Sequence, residues 1–176
     1  MKKGSTRLIA YHEAGHAVIA YYVHRTIRHV SIIPGEDDLG HMLEGKGPDL
    51  RKAEYAMSLK IIDQLEDCAM ISWGGDAAEY ILTKKKKYRP GSSADIHNVV
   101  EYLSRICTEP EALSAYVNWL WYCTRNILHD EHQWAAVEAL AAELIKRRYI
   151  GGTRARQIIK KAEEDLFNRK TAKQKK

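Results

Sequence analysis

The stretch from Tyr11 to Ala20, Y-H-E-A-G-H-A-V-I-A, constrains this chain more than any other part of its sequence. An α-helix has about 3.6 residues per turn, so His12 and His16 lie on one face and both imidazole rings can reach one cation. Glu13 lies about 100° round the helix, where it can act on a water molecule without binding the cation itself. This H-E-x-x-H pattern is typical of helices that hold a catalytic zinc ion. The alternative is a helix whose histidines only satisfy hydrogen bonds in the core.

A zinc ion on this helix needs a third protein ligand. The metzincin pattern is excluded, because Ile19 and Tyr22 stand where it requires glycine and histidine. Two carboxylates are better placed than the remaining histidines: Glu79 in G-G-D-A-A-E-Y and Asp95 in P-G-S-S-A-D-I-H. Either could bind the metal, while Asp95 could instead interact with free backbone amides in the first turn of a helix. The residues alone leave this choice open. The other histidines considered are His24, His29, His41, His129 and His132.

The hydrophobic periodicity predicts an α+β fold that is mostly α-helical, with an active-site helix, a small β-sheet and a C-terminal helical bundle. We expect helices at 6–24, 49–73, 76–82, 94–107, 110–127 and 130–148, and a last one from 153 onward. Strands are expected at 27–33 and 39–43. Paired glycines at 74–75 and 151–152 are expected to end helices.

Length and composition predict one domain, 1–168, followed by a basic, disordered tail, 169–176. The chain has 176 residues, of which 45% are hydrophobic and 29% are charged. No apolar run reaches the roughly 18 residues of a spanning helix, so we expect no membrane contact. The three cysteines form no C-x-x-C pair, which favours a reducing compartment, and we expect a cytoplasmic protein.

The excess of basic residues does not indicate a nucleic-acid-binding protein. The net charge of +5 is concentrated at 84–89, 146–148 and 169–176, without interleaved aromatic residues or a known reading module. Nucleotide binding is not expected either. The stretch 40–47, G-H-M-L-E-G-K-G, resembles a P-loop but lacks the Ser or Thr that holds magnesium, and Pro48 follows it.

Several motifs together resemble the zinc peptidase domain of the FtsH-type, AAA-associated metalloprotease family. H-E-A-G-H-A at 12–17 matches that family's signature, and V-S-I-I-P-G at 30–35 followed by L-G-H-M is similar to its V-S-I-I-P-R-G and L-G-Y. G-G-D-A-A-E at 74–79 is similar to G-G-R-A-A-E, and G-S-S-A-D-I at 91–96 to G-A-S-N-D-I. The resemblance covers nearly the whole chain. From it we expect a stand-alone peptidase domain without the ATPase and transmembrane segments of the family.

The resemblance implies a role for each candidate residue. It implies His12, His16 and Asp95 as ligands of one Zn²⁺ ion and Glu13 as the catalytic base, and it leaves Glu79 to support a ligand histidine. An edge strand can hold an extended peptide through backbone hydrogen bonds, and the strand at 39–43 is the candidate, as the resemblance also implies. The alternative is an ordinary short edge strand without this role. The substrate-binding candidates on that strand are Leu39, Gly40, His41 and Met42.

The function expected from these residues is an ATP-independent zinc metalloendopeptidase that cleaves flexible or unfolded polypeptides. The alternative is a zinc-binding adaptor or inhibitor domain that derives from a peptidase and has lost proteolysis. Glu13 argues against this alternative, because a domain that only binds zinc has no need of a base.

Overall fold

The structure is a computed structural model that describes residues 3–34, 41–44, 58–84 and 94–174. Helices dominate these residues, and the mostly α-helical α+β architecture predicted from the sequence is confirmed. The elements are α1 Lys3–Tyr22, β1 Ile27–Ser31, β2 His41–Glu44, α2 Leu59–Thr83, α3 Ala94–Ser104, α4 Pro110–His129, α5 Glu131–Arg147, β3 Tyr149–Gly151 and α6 Gly152–Gln174.

Helix α1 lies at the centre of the fold. Its residues from Ala17 to Ala20 are fully buried, and it packs against α2, α5 and the sheet. The small alanines allow these neighbours to approach α1 closely, and Ile19 adds the apolar area whose removal from water drives the packing. Because α1 is fixed on several sides, the histidines that it carries are held in one position relative to the rest of the molecule.

The β-sheet has three antiparallel strands in the order β2-β1-β3. Val30 of β1 pairs with Met42 of β2 on one side and with Ile150 of β3 on the other. Strand β3 is not predicted from the sequence, where the glycines beside it read as a helix end. A Cβ atom on Gly152 would lie 1.8 Å from the carbonyl oxygen of Ile27, so glycine is needed here for α6 to begin against β1.

The prediction that Gly74 and Gly75 end a helix is wrong. Helix α2 continues through them to Thr83, where a break between helices at 49–73 and 76–82 was expected. Positions 49–57 of the first expected helix lie outside the described residues. The glycines instead allow α2 to cross α1 at short distance. A Cβ atom on Gly74 would lie 2.7 Å from the carbonyl oxygen of Gly15, closer than real Cβ atoms come to other atoms. Tertiary packing thus overrides the tendency of the two glycines to end a helix.

The remaining helices agree with the predicted pattern to within a few residues. Helix α3 begins at Ala94 and α4 at Pro110, as expected. Asp130 caps α5 by accepting hydrogen bonds from the backbone amides of His132 and Gln133. Helix α6 extends to Gln174, so residues 169–174 are helical where a disordered tail was expected. None of the helices in the described ranges is both long enough and apolar enough to cross a membrane.

Candidate metal centre

Two helices bring together three side chains that are remote in sequence. His12 and His16 project from successive turns of α1, and Asp95 projects from the first turn of α3. One oxygen of Asp95, Oδ2, lies 3.1 Å from His12 Nε2 and 3.6 Å from His16 Nε2. One potential ligand atom from each of the three residues lies within 4.8 Å of the others. Two imidazole nitrogens and one carboxylate oxygen therefore face a common position at which one cation could bind.

The ring of His16 is oriented by the backbone of α2. Its Nδ1–H donates a 2.7 Å hydrogen bond to the carbonyl oxygen of Ile71. The amide nitrogen of Gly75 also lies 3.3 Å from this Nδ1, but a protonated nitrogen cannot accept a hydrogen bond, so the shorter bond decides the tautomer. In the neutral ring the lone pair is then on Nε2, the nitrogen nearer to Asp95.

Glu79 orients the other histidine. Its Oε1 accepts a 3.1 Å hydrogen bond from Nδ1–H of His12. The second nitrogen of the ring, Nε2, is thereby turned toward Asp95, as the ring of a metal-binding histidine is usually turned by a carboxylate behind it. The structure thus places Glu79 behind His12, on the side away from Asp95.

Gly75 provides the space that the two rings occupy. A Cβ atom at this position would lie 2.5 Å from Nε2 of His12 and 2.5 Å from Nε2 of His16. Any larger residue would therefore push into the two nitrogens that face Asp95. Gly75 is therefore needed for the position of the two histidine rings as well as for the packing of α2.

The electrostatics of this cluster favour a positive charge. Burial lowers the pKa of His12, but hydrogen bonds with Asp95 and Glu79 outweigh it and raise the pKa to about 10. Burial raises the pKa of Asp95, but the charges and hydrogen bonds of His16 and His12 hold it well below its usual range. The carboxylates around His12 and His16 therefore favour a positive charge at this point. This donor set of nitrogen and carboxylate oxygen suits Zn²⁺.

Glu13 is 5% exposed and lies on α1 between the sequence positions of the two histidines. Its negative charge acts on both rings, since it contributes to the raised pKa of His12 and of His16. The carboxylate is therefore close to the centre without belonging to the three-residue cluster. This is the arrangement that a base beside a metal requires.

Asp76 is a carboxylate at this centre that the sequence analysis missed. It is half-buried, and burial raises its pKa, while the charge of His12 lowers it and the charges of Asp95 and Glu79 raise it. The available signal was its position in G-G-D-A-A-E, three residues before Glu79 and therefore on the same face of a continuous helix. The expected helix break at the glycines concealed this relationship.

The substrate-binding candidates are only partly described. Leu39 and Gly40 lie outside the described residues, whereas His41 and Met42 belong to β2. Met42 is partly buried against the core, and Ser31 of β1 pairs with His41. Within the described ranges β2 has a strand neighbour on one side only. Its other edge is a candidate surface for an added strand.

Of the other histidines considered as ligands, those with described side chains are not part of the cluster. Only His12, His16 and Asp95 form a group with metal-binding geometry among the described residues, whose side chains do not include His41. His24 has a positive φ of 58° just after α1, and the ring of His29 stacks near Tyr149 at 5.2 Å between centroids. His129 and His132 lie at the ends of α4 and α5, which meet there.

Comparison with known proteins points to one family. Residues 1–166 match the family described as Peptidase family M41. The chain is 29% identical over 155 residues to the ATP-dependent zinc metalloprotease YME1L1 of Mus musculus, covering 87% of this chain and 20% of that protein. It is also 29% identical over 136 residues to the ATP-dependent zinc metalloprotease YME1 homolog of Schizosaccharomyces pombe, covering 70% of this chain and 18% of that protein. The chain thus spans about one fifth of the length of these relatives.

Proposed function

Because the chain belongs to peptidase family M41, we propose that it is a zinc metalloendopeptidase that cleaves flexible or unfolded polypeptides and needs no ATP for the cleavage itself. The observation that carries this proposal is the convergence of His12 Nε2, His16 Nε2 and Asp95 Oδ2 beside a buried glutamate. The relatives named above are zinc metalloproteases, which supports the same reaction and the same metal.

The proposed ligands are the three atoms that already face one another. His12 and His16 would bind Zn²⁺ through Nε2, because each uses Nδ1–H to hold a fixed partner, Glu79 and the Ile71 carbonyl. Asp95 would supply a carboxylate oxygen. When bound, zinc lowers the pKa of a coordinated water molecule and polarises a carbonyl oxygen. Both histidines would bind the metal in their neutral form, since ligand histidines must be deprotonated at the coordinating nitrogen.

Glu13 is proposed as the proton carrier of the reaction. Its carboxylate accepts a proton from the attacking water and then delivers it to the nitrogen of the leaving amine. The side chain is buried and belongs to the same helix as the two histidines. The alternative, an adaptor or inhibitor domain without proteolysis, has no use for a buried carboxylate in this position.

The substrate is proposed to be an extended polypeptide segment that pairs with the outer edge of β2. Backbone pairing at an edge strand binds peptides largely irrespective of sequence, and His41 and Met42 lie on that strand. Only a segment that is already unfolded can adopt this conformation. Hydrolysis of the peptide bond needs no coupled energy source. In this proposal, nucleotide is therefore required neither for binding the segment nor for cleaving it.

The compartment proposed for the protein is the cytoplasm. Cys68, Cys107 and Cys123 are all free thiols. Free cysteines in the absence of disulfides are typical of reducing compartments.

Metal analysis combined with a cleavage assay tests the proposed function. Purified protein is analysed for bound metal, and unfolded casein is incubated with it without nucleotide, in the presence and absence of a chelator. We expect about one zinc ion per chain, casein degradation without ATP, loss of activity with chelator and recovery when zinc is restored. A protein that binds zinc stoichiometrically but never cleaves casein would support the adaptor alternative instead.

A further inference from the structure

The end of α5 and the first turns of α6 carry a dense group of basic residues. Between Leu144 and Ala162 the sequence contains seven lysine and arginine residues and neither aspartate nor glutamate. They lie at 146–148 and 154–161, and we call them the basic surface. All seven are exposed. A concentration of one charge on this scale attracts partners of the opposite charge.

The fold holds the two halves of the basic surface close together. They are joined by β3, which is three residues long, so the end of α5 and the start of α6 are roughly 10 Å apart. Arg148 is anchored to β1 twice. Its carbonyl oxygen accepts a 2.8 Å hydrogen bond from the amide of Ile32, and its guanidinium donates a 3.3 Å bond to the carbonyl oxygen of Ile32. The cations of α5 therefore lie near those of α6.

Most of these cations have no negative partner within the protein. Arg147 forms an ion pair with Glu143 at 2.5 Å, and Lys160 forms one with Glu164 at 3.7 Å. Four members of the basic surface form no ion pair with another described residue: Lys146, Arg154, Arg156 and Lys161. Like charges that are this close repel one another, and a bound polyanion would offset the repulsion.

An aromatic pair adjoins the basic surface. Tyr149 directly follows Arg148, and its ring lies 5.2 Å from the ring of His29 with 31° between the planes. Val30 and Ile150 pair on the buried face of the sheet, so His29 and Tyr149 belong to the opposite face. Tyr149 is 50% exposed. It therefore presents a flat ring to solvent beside unpaired cations.

The exposed ring distinguishes between possible polyanions. Phosphates and carboxylates both suit arginine and lysine side chains. A nucleobase also has a flat face that stacks on an aromatic ring, whereas the carboxylates of an acidic polypeptide have no such face. In the sequence, Tyr149 is the only aromatic residue between Leu144 and Ala162, too little to indicate a nucleic-acid-binding protein. The fold adds the ring of His29 from a distant segment.

We propose that the basic surface and Tyr149 bind single-stranded nucleic acid. The unpaired cations contact the phosphates, and Tyr149 stacks on a base, so binding has little preference for sequence. The metal centre lies on α1, α2 and α3, whereas this surface belongs to α5, β3 and α6. The proposal is therefore independent of the peptidase function.

Fluorescence anisotropy provides the test. A fluorescein-labelled oligouridylate of about 20 nucleotides is titrated with the full chain between about 50 mM and 200 mM salt. Four unpaired cations that each neutralise one phosphate predict a slope of roughly −3 for the logarithm of the association constant against the logarithm of the salt concentration. Absence of binding at the lowest salt concentration would overturn the proposal.

Charge-reversal variants locate the binding surface. Arg154→Glu and Arg156→Glu, made singly, should each weaken binding by about tenfold at low salt and make the salt slope shallower by about 0.7. Lys60→Glu, at an exposed position on α2, is the matched control and should leave the affinity nearly unchanged. Arg154→Gln replaces Arg154→Glu if that variant does not fold. Equal affinities of the Arg154 and Lys60 variants would overturn the proposal.

Variants of Tyr149 test the stacking. Tyr149→Ala should weaken binding by about tenfold at every salt concentration and leave the salt slope unchanged, because the lost contact is not ionic. Tyr149→Phe keeps the ring and should bind like the unaltered protein. Unchanged affinity in a folded Tyr149→Ala protein would contradict the proposal.

Two other polyanions complete the experiment. An oligoglutamate peptide of matched charge and vesicles that contain phosphatidylserine are added as competitors of the labelled oligouridylate. We expect both to compete much less effectively than unlabelled oligouridylate. Competition by oligoglutamate at equal concentration would assign the surface to acidic polypeptides, and stronger competition by the vesicles would assign it to a membrane. Either result would overturn the proposal.

Discussion

Gly15 and Gly74 meet where α1 crosses α2, and a Cβ atom on Gly15 would lie 2.2 Å from the carbonyl oxygen of Gly74. Neither backbone can move away, because Ala14 of α1 and Ala78 of α2 are fully buried beside the crossing. This close approach decides the distance between the helix that carries the histidines and the helix that orients them. The geometry of the metal centre therefore depends on two residues without side chains.

We expect Gly15→Ala to lower the free energy of unfolding by about 3 kcal/mol or more, because overpacking of a buried backbone contact cannot be relieved by a rotamer change. Urea denaturation followed by circular dichroism measures the effect. Gly151→Ala is the matched control, since a Cβ atom there would meet nothing within 4 Å. Equal stability of the two variants would contradict the described crossing.

Gly75→Ala is expected to weaken zinc binding more than it weakens the fold. The added methyl group would lie 2.5 Å from Nε2 of His12 and of His16, so the two rings must move apart. Zinc affinity, measured by competition with a chromogenic chelator, should fall by about 10-fold to 100-fold. Unchanged affinity in this variant would mean that the rings do not bind metal through the Nε2 atoms that face Asp95.

Glu79→Gln tests the residue behind His12. The amide can still lie near Nδ1, but it lacks the charge that stabilises a cation at the centre, so zinc affinity should fall by about tenfold. Glu138→Gln, on the exposed surface of α5, serves as the control for loss of one negative charge. If both variants bind zinc like the unaltered protein, the negative charge of Glu79 has no influence on the metal.

Tyr116 gives a pH dependence that is independent of the metal. Burial and the hydrogen bond that its hydroxyl donates to Glu66 raise its pKa above the ordinary value. A raised pKa in the folded state favours the protonated phenol, so the resulting stability is complete below about pH 10, the unfolded value, and is lost as the pH rises above it. The stability difference between the unaltered protein and Tyr116→Phe, measured by urea denaturation, should be constant from pH 7 to pH 9 and shrink above pH 10. A difference that grows above pH 10 would contradict this interaction.

Part of the candidate site follows directly from the spacing of residues in the sequence. The spacing of His12 and His16 determines their common face, because a regular helix leaves no alternative. The third carboxylate could not be chosen from spacing alone, since Glu79 and Asp95 are each on a helix that could reach the rings. Only the resemblance distinguished them, and the structure places Asp95 between the rings and Glu79 behind His12. The ligand and base roles themselves remain predictions.

The errors in the fold prediction have one physical origin. The glycine pairs at 74–75 and 151–152 predict helix ends, whereas Gly74, Gly75 and Gly152 are places where another backbone or ring approaches too closely for a Cβ atom. Local propensity cannot distinguish a glycine that ends a helix from a glycine that accommodates a neighbour, because the neighbour is remote in sequence. For the same reason β3, beside the glycine pair at 151–152, is not predicted from the sequence. The expected helix end at 74–75 likewise hides that Asp76 and Glu79 share one continuous helix.

The most direct test of the account is the effect of Glu13→Gln on zinc content and peptide cleavage measured on the same sample. Glutamine has nearly the shape of glutamate but cannot accept the proton of the attacking water. We predict about one zinc ion per chain, as in the unaltered protein, and a loss of cleavage of at least about 100-fold. Cleavage at the unaltered rate by the zinc-loaded variant would contradict the assignment of Glu13 and the proposed reaction with it.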